Sequence, residues 1–401
     1  MSFDRNALPP EYRILLVCAN DPKHPPDPAQ LRDTAAAVSD WDFVVAAAVE
    51  HRLAPLLFHW LTRETPDLLP GTARVALENH GRERALHMMR LVGYLKQVIT
   101  SLQQAGIDAM VLKGPMLGQR AFGNMALRPS NDLDIMVRAE DRDRAHRHLQ
   151  QALGFDIDAH QLDRFSPRQR RHFLAYSHEL CLAHSQWNLV LDLHWRTSRF
   201  ELSQFARFEP LFARAERVPF AGLTVPYFRG DDLFVYLATH GSRHGWLRLF
   251  WLNDLVALTR GGHVADWEQV LAAADEHRQR RSVLMGMYLC ALLFELVLPE
   301  PIERALAAEP KLKRRARSIL PRIFPKKRDA SAFPLQLPLG FAIRWLTNLN
   351  DSRRIRWSTT AQFMFVPNEG DLRGLRLPDA LFPAYYLIRP FRLIYQNLFR
   401  R

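Results

Sequence analysis

Two carboxylates set two residues apart inside an apolar strand restrict this chain more than any other pattern in it. They stand in LRPSNDLDIMV, Leu127 to Val137, where Leu133, Ile135 and Val137 alternate with Asp132, Asp134 and Met136. That is the two-residue period of a pleated strand, so Asp132 and Asp134 share one face and branched apolar side chains suited to a core occupy the other. Pro129, Ser130 and Asn131 supply the turn chemistry that starts the strand. Neighbouring like charges resist ionising together, so the pattern calls for a cation between them, such as Mg2+. Without a cation, the same pattern describes a solvent-facing edge strand whose charges deter aggregation.

A second stretch, LVLDLHW from Leu189 to Trp195, puts Asp192 and His194 on one face and Leu191, Leu193 and Trp195 on the other. If this strand lies beside DLDIMV, then Asp132, Asp134 and Asp192 converge on an oxygen-rich site of the kind two Mg2+ ions require for in-line phosphoryl transfer. Three carboxylates with nothing cationic among them would destabilise the fold, which argues for metal, Mg2+ or alternatively Mn2+. A third stretch, VLKGPMLG from Val111 to Gly118, reads as strand, Lys113-Gly114 and the start of a helix. Backbone N–H groups around a glycine at a helix start form an anion site, and Lys113 adds a point charge for phosphate. The order of a P-loop is missing, and no kinase H-R-D or D-F-G follows.

Arg128, in the loop before the aspartate strand, offers a guanidinium that can grip a phosphate in bidentate fashion, or else stands as a surface arginine. His240 and His244 are four apart on an expected helix, but no third ligand accompanies them at suitable spacing. The face bearing His240, Arg243 and Asp254 therefore reads as a cap over a nucleotide, with Trp246, Phe250 and Trp251 as core.

The 54 Lys and Arg against 42 Asp and Glu leave +12 and a sequence pI near 10.0, which favours anionic ligands without choosing between nucleotide, nucleic acid and acidic membrane. Cys18, Cys181 and Cys290 are scattered and odd in number, which suggests neither a disulfide framework nor a zinc cluster and fits a reducing cytoplasm. The apolar run near the N-terminus is too short for a signal-peptide core, and VLMGMYLCALLFELVL, Val283 to Leu298, is short of a membrane span and carries Glu295. It reads as a buried helix.

Changes of period divide the 401 residues into an N-terminal helical region (1–105), a mixed catalytic core (106–228), a helical cap (229–310), a basic proline-containing linker (311–334) and a C-terminal helical region (335–401). The helical cap is expected to begin with Asp231 as its capping residue. The linker holds nine Lys and Arg with Pro321, Pro325 and Pro334, and reads as a solvated connector. The expected class is α+β, a small mixed β-sheet flanked by helices at both ends.

In order, LKG, R..NDLDIMV, LDLHW and HGSRHGWLRLFWLND resemble the uncharacterised nucleotidyltransferase group of the DNA polymerase β-like superfamily, from about Trp41 to LIRPFRLI near the C-terminus. The resemblance implies nucleotidyl transfer, with Asp132, Asp134 and Asp192 as catalytic metal ligands. It departs from the superfamily at Lys113-Gly114, where Gly-Ser is usual, and in a longer interval to Asp132. The resulting expectation is an Mg2+-dependent enzyme moving an NMP from an NTP to a hydroxyl-bearing acceptor, with Lys113, Gly114, Arg128, His240 and Arg243 holding the nucleotide. The mixed charges of RAEDRDRAHRH beside the aspartates favour a small-molecule or protein acceptor over nucleic acid. A catalytically inactive adaptor of the same fold, binding nucleotide or RNA, is the alternative.

Overall fold

The middle third of the chain supplies seven strands: β1 (Ala109–Val111), β2 (Leu133–Val137), β3 (Asp156–Ile157), β4 (Glu179–His184), β5 (Leu189–His194), β6 (Glu216–Phe220) and β7 (Leu223–Tyr227). The computed structural model describes residues 3–157, 165–197, 208–326, 333–349, 353–375 and 377–399. The strands form one sheet in the order β3-β4-β5-β2-β1-β7-β6. Pairing is parallel between β2 and β5 and between β1 and β7, and antiparallel at the other four junctions. The class is α+β, as the period changes indicate.

β2 is buried at all five positions, Asp134 included. It lies in the middle of the sheet with helices nearby, so an alternating strand that could have faced water on one side is enclosed on both. The 34-residue helix Gly71–Gln104 crosses behind β1, and Ser101 Oγ pairs with His148 Nε2 of the helix Arg142–Leu153 at 2.9 Å. The shorter helices Pro10–Cys18, Trp41–Glu50 and Ala54–Glu64 bury Ile14, Leu15, Val44, Ala47 and Leu57 in the same core. Burying the Ile, Leu and Val side chains among these contributes roughly 1.5–3 kcal/mol each against exposure, before ordering costs.

The helix Arg280–Phe294 is the buried helix expected from VLMGMYLCALLFELVL, and it ends where Glu295 turns left-handed at φ 52°. Among the described residues no helix is long and apolar enough to cross a membrane. The three cysteines are free thiols, two of them buried.

Three local expectations meet a different structure. Helix Gly230–Arg243 is preceded by Arg229, so Asp231 lies inside its first turn, and Asp232 receives two hydrogen bonds from Arg214 at 3.0 and 2.8 Å. Strands β6 and β7 fall where no strand is read from sequence, because Pro219 and Pro226 interrupt the pattern. They close through Ala221 and Gly222, both at positive φ. Much of the expected linker is helical: Pro310–Arg317 and Leu320–Ile323 bury Leu312, Ala316, Ile319, Leu320 and Ile323. Apolar residues at three and four spacing hold that segment to the core beneath its basic surface. Its residues 327–332 lie outside the described ones.

Candidate active site

Register in the sheet decides which side chains meet. In the β2–β5 ladder Asp134 stands opposite Asp192, and in the β4–β5 ladder Cys181 faces Asp192 while Glu179 faces His194. Paired residues project from the same face, so Asp134, Asp192, His194 and Glu179 gather on one side of the sheet. Ligand atoms of Asp134, Asp192 and His194 lie within 4.8 Å of one another. Asp132 stands at the entry to β2, accepts a hydrogen bond from Ser130 Oγ at 3.2 Å, and lines the same cavity of about 330 Å³. The three aspartates singled out in the sequence line one cavity, with ligand atoms of Asp134 and Asp192 within 4.8 Å of each other.

Asp134 is 2% exposed, and its two oxygens are used unequally. Oδ1 meets Lys113 Nζ at 3.0 Å and His194 Nε2 at 3.2 Å. Oδ2 is buried and makes no hydrogen bond among the described residues. Burial alone would raise this carboxyl, but the Lys113 charge and His194 bring it down to about 2. Asp192 moves the other way: burial first, then the charges of Asp134 and Glu179, push it up to about 7. The site therefore carries one firmly ionised carboxylate beside one that holds its proton into the neutral range.

Lys113 lines the cavity too, and there it is paired with a carboxylate. Its ammonium is buried on Asp134; burial works against its charge, yet Asp134 and Asp132 raise its pKa. It neutralises the aspartate pair directly, where the sequence suggests a phosphate contact. Gly114 begins the helix Pro115–Phe122 at φ 71°, a conformation that favours glycine, and a side chain there would stand 3.7 Å from the Asp132 carbonyl oxygen. Its place is beside the aspartate loop, not in the lining of the cavity.

Arg128 is neither a surface residue nor an open fork. Its Nε and Nη2 each donate at 2.8 Å to Asp254, and the two side chains are 5% and 1% exposed. The bidentate edge expected to grip phosphate is occupied by that carboxylate. Asp254 lies on the helix Leu249–Arg260, so the pair ties the loop before β2 to the helical cap. His240 and Arg243 do line the cavity, as does His244, whose ring stacks on Trp251 at 4.9 Å. Burial first, then Lys113, drives His240 well below its ordinary range, so it faces the cavity as a neutral imidazole. Trp246 is wholly buried core as expected, whereas Phe250 and Trp251 are buried but also reach the cavity wall.

Sequence reasoning missed His178, Glu179, Arg52 and Arg248, which also line the cavity. It placed His194 beside Asp192 without giving it a role. Arg52 arrives from the N-terminal helices at φ 56° and lies 5.0 Å from the Phe250 ring centre. Arg248 pairs with Glu50 at 3.0 Å. The left-handed backbone at a non-glycine residue was the one local irregularity that could have marked Arg52, and sequence does not display it.

No curated protein is significantly similar to the chain. The solved structure of the antibiotic-resistance factor ANT(2'')-Ia aligns with 50% of this chain and 97% of its own, at 13% identity and a TM-score of 0.33, too distant a likeness to carry an argument. The model of a family described as uncharacterised nucleotidyltransferase matches residues 37–295, from the third N-terminal helix through β1–β7 and Arg128–Asp254 to the end of Arg280–Phe294. That span contains the aspartate strand, its partner β5 and the whole cavity lining, and by it the chain belongs to the uncharacterised nucleotidyltransferase family.

Proposed function

We propose that the enzyme transfers an NMP from an NTP to a hydroxyl-bearing acceptor with Mg2+, or Mn2+, held by Asp132, Asp134 and Asp192. The observation that carries this reading is Asp134 Oδ2, a buried carboxylate oxygen without a hydrogen bond among the described residues, beside a second carboxyl that burial and negative neighbours keep protonated to about 7. A hard divalent cation satisfies both, since it takes oxygen ligands and stabilises their ionised form. Bound there, the ion supplies positive charge to the triphosphate and the departing pyrophosphate, in the two-metal manner of in-line transfer.

The protein's own groups divide the remaining work. Lys113 and His194 fix Asp134 through Oδ1, and Oδ2, which makes no hydrogen bond among the described residues, would ligate the ion. Arg52, Arg243 and Arg248 form a cationic wall suited to the triphosphate, and Phe250 and Trp251 offer apolar surface to the base. As the acceptor oxygen bonds to the α-phosphorus, the bond to pyrophosphate breaks and the hydroxyl proton passes to the aspartate group. Gly114 and the ion-paired Arg128 act by shaping the loop that presents Asp132. The acceptor is a small molecule or a protein side chain, because the basic run Lys311–Arg317 is absent from the cavity lining and packs inward through Leu312 and Ala316.

Incubation of the protein with Mg2+, each α-labelled NTP and a cell extract tests this reading. Label should move to one acceptor, and Asp134→Asn should abolish the transfer. Retained NTP binding with no transfer from any NTP would instead favour the nucleotide-binding adaptor.

A further inference from the structure

His194 has two ring nitrogens, and the aspartate site accounts for one. Nε2 lies 3.2 Å from Asp134 Oδ1, and Lys113 keeps Asp134 ionised, so Nε2 is the donor and Asp134 the acceptor. Nδ1 is the nitrogen left over. It is buried, makes no hydrogen bond among the described residues, and belongs to a side chain only 6% exposed. A carboxylate oxygen, Glu179 Oε2, lies 3.4 Å away. His178 Nε2 reaches the same oxygen at 3.3 Å. Burial opposes a charge on His194, but the Asp134 hydrogen bond and the Glu179 carboxylate raise its pKa, so the positive group between Nδ1 and Glu179 is a proton unless a metal ion displaces it.

Ligand atoms of His178, Glu179 and His194 fall within 4.8 Å of one another. Ligands about 2.0–2.2 Å from a tetrahedral ion stand roughly 3.3–3.5 Å apart, which matches the two contacts to Glu179. The donor set is two imidazoles and one carboxylate, with His178, Glu179 and His194 all on the wall of the catalytic cavity. Three protein ligands with a fourth position open to a cavity is the arrangement of a reactive zinc centre, not of a closed structural one. The carboxylate behind His194 completes it: metal-bound histidines characteristically donate their other N–H to a carboxylate, which fixes the tautomer and the ring orientation.

We propose that His178 Nε2, Glu179 Oε2 and His194 Nδ1 form a site for a divalent transition metal of the Zn2+, Co2+ or Mn2+ class, separate from the Mg2+ site of the aspartates. Imidazole ligands select against Mg2+, which prefers oxygen. Asp134 is shared between the two sites in different capacities, orienting His194 through Oδ1 while Oδ2 faces the aspartate group. The open coordination position faces the same cavity as Asp192 and can take an oxygen of the nucleotide or of the acceptor. The site stands on geometry independent of nucleotidyl transfer.

Titration of the metal-stripped full-length protein with Co2+, in excess Mg2+ and without nucleotide, tests the proposal by visible absorption. One equivalent should bind with the intense band of four- or five-coordinate cobalt, and Mg2+ should not remove it. His178→Ala and Glu179→Gln should each weaken Co2+ binding by at least ~10–100-fold, the loss seen when only a ligand's supporting partner is removed. Asp192→Asn should leave the cobalt spectrum intact. Thermal melts of each variant confirm folding, and either of the two ligand variants suffices. Absence of the band, or a band that survives both His178→Ala and Glu179→Gln but disappears with Asp192→Asn, would overturn the assignment, the first leaving a proton on Nδ1 and the second placing the ion among the aspartates.

Discussion

Mg2+ binding at the aspartates should expel a proton at mildly acid pH, and Asp192 is its source. Burial and the charges of Asp134 and Glu179 hold this carboxyl at about 7 in the metal-free fold. It is then ~90% protonated at pH 6 and ~10% protonated at pH 8. The ion coordinates the carboxylate alone, so its binding should release ~0.9 proton at pH 6 and ~0.1 at pH 8, and apparent affinity should rise ~10-fold between them. The same shift governs stability. Below about pH 4 both the folded and the unfolded chain keep this proton. Between about 4 and 7 the unfolded chain gives it up while the fold retains it, so metal-free stability falls as pH rises through that window, by up to ~1.4 kcal/mol per unit. Mg2+ should cancel the fall. Calorimetric titration with Mg2+ in two buffers of different ionisation enthalpy counts the protons directly, with Asp192→Asn as the control. Binding without proton release at pH 6, or identical release from Asp192→Asn, would refute the reasoning.

Arg128→Met should cost about 3–5 kcal/mol by stranding the buried Asp254 carboxylate, whereas the double variant Arg128→Met/Asp254→Leu should recover most of it. Denaturation midpoints distinguish the two, and equal losses would mean the pair does not hold the loop to the cap. Lys113→Met removes the cation nearest Asp134, so Mg2+ should bind as tightly or more tightly. Weaker Mg2+ binding in calorimetry would contradict that electrostatic picture. Gly241→Ala would place a methyl on the buried indole of Trp246 and should destabilise the fold by ~1–3 kcal/mol, and an unchanged melting temperature would show that Trp246 does not pack against the end of helix Gly230–Arg243.

What could be read from the sequence followed from period and local chemistry. The alternation in DLDIMV and LDLHW gave β2 and β5, and the two strands bring Asp134 and Asp192 into register. The fold class came the same way. What escaped depended on pairing between distant segments. Arg128 and Asp254 are 126 residues apart, so a buried ion pair looked like a free fork. Glu179 meets His194 only through the antiparallel register of β4 and β5, which residue types in either strand do not specify. Lys113 lies in a loop whose sequence suits phosphate, and the adjacent carboxylate took its charge because a buried anion has no water to compensate it. Prolines hid β6 and β7, and a dense basic surface hid the apolar stripe of Leu312, Ala316 and Ile319.

Anomalous diffraction from crystals grown with Mn2+ and a non-hydrolysable NTP bears most directly on the account. It predicts manganese within about 2.2 Å of Asp134 Oδ2 and of an Asp192 oxygen, with the triphosphate against Arg52, Arg243 and Arg248. Nucleotide bound in the cavity with no manganese at the aspartates, or manganese bound there with the nucleotide lodged elsewhere, would contradict it.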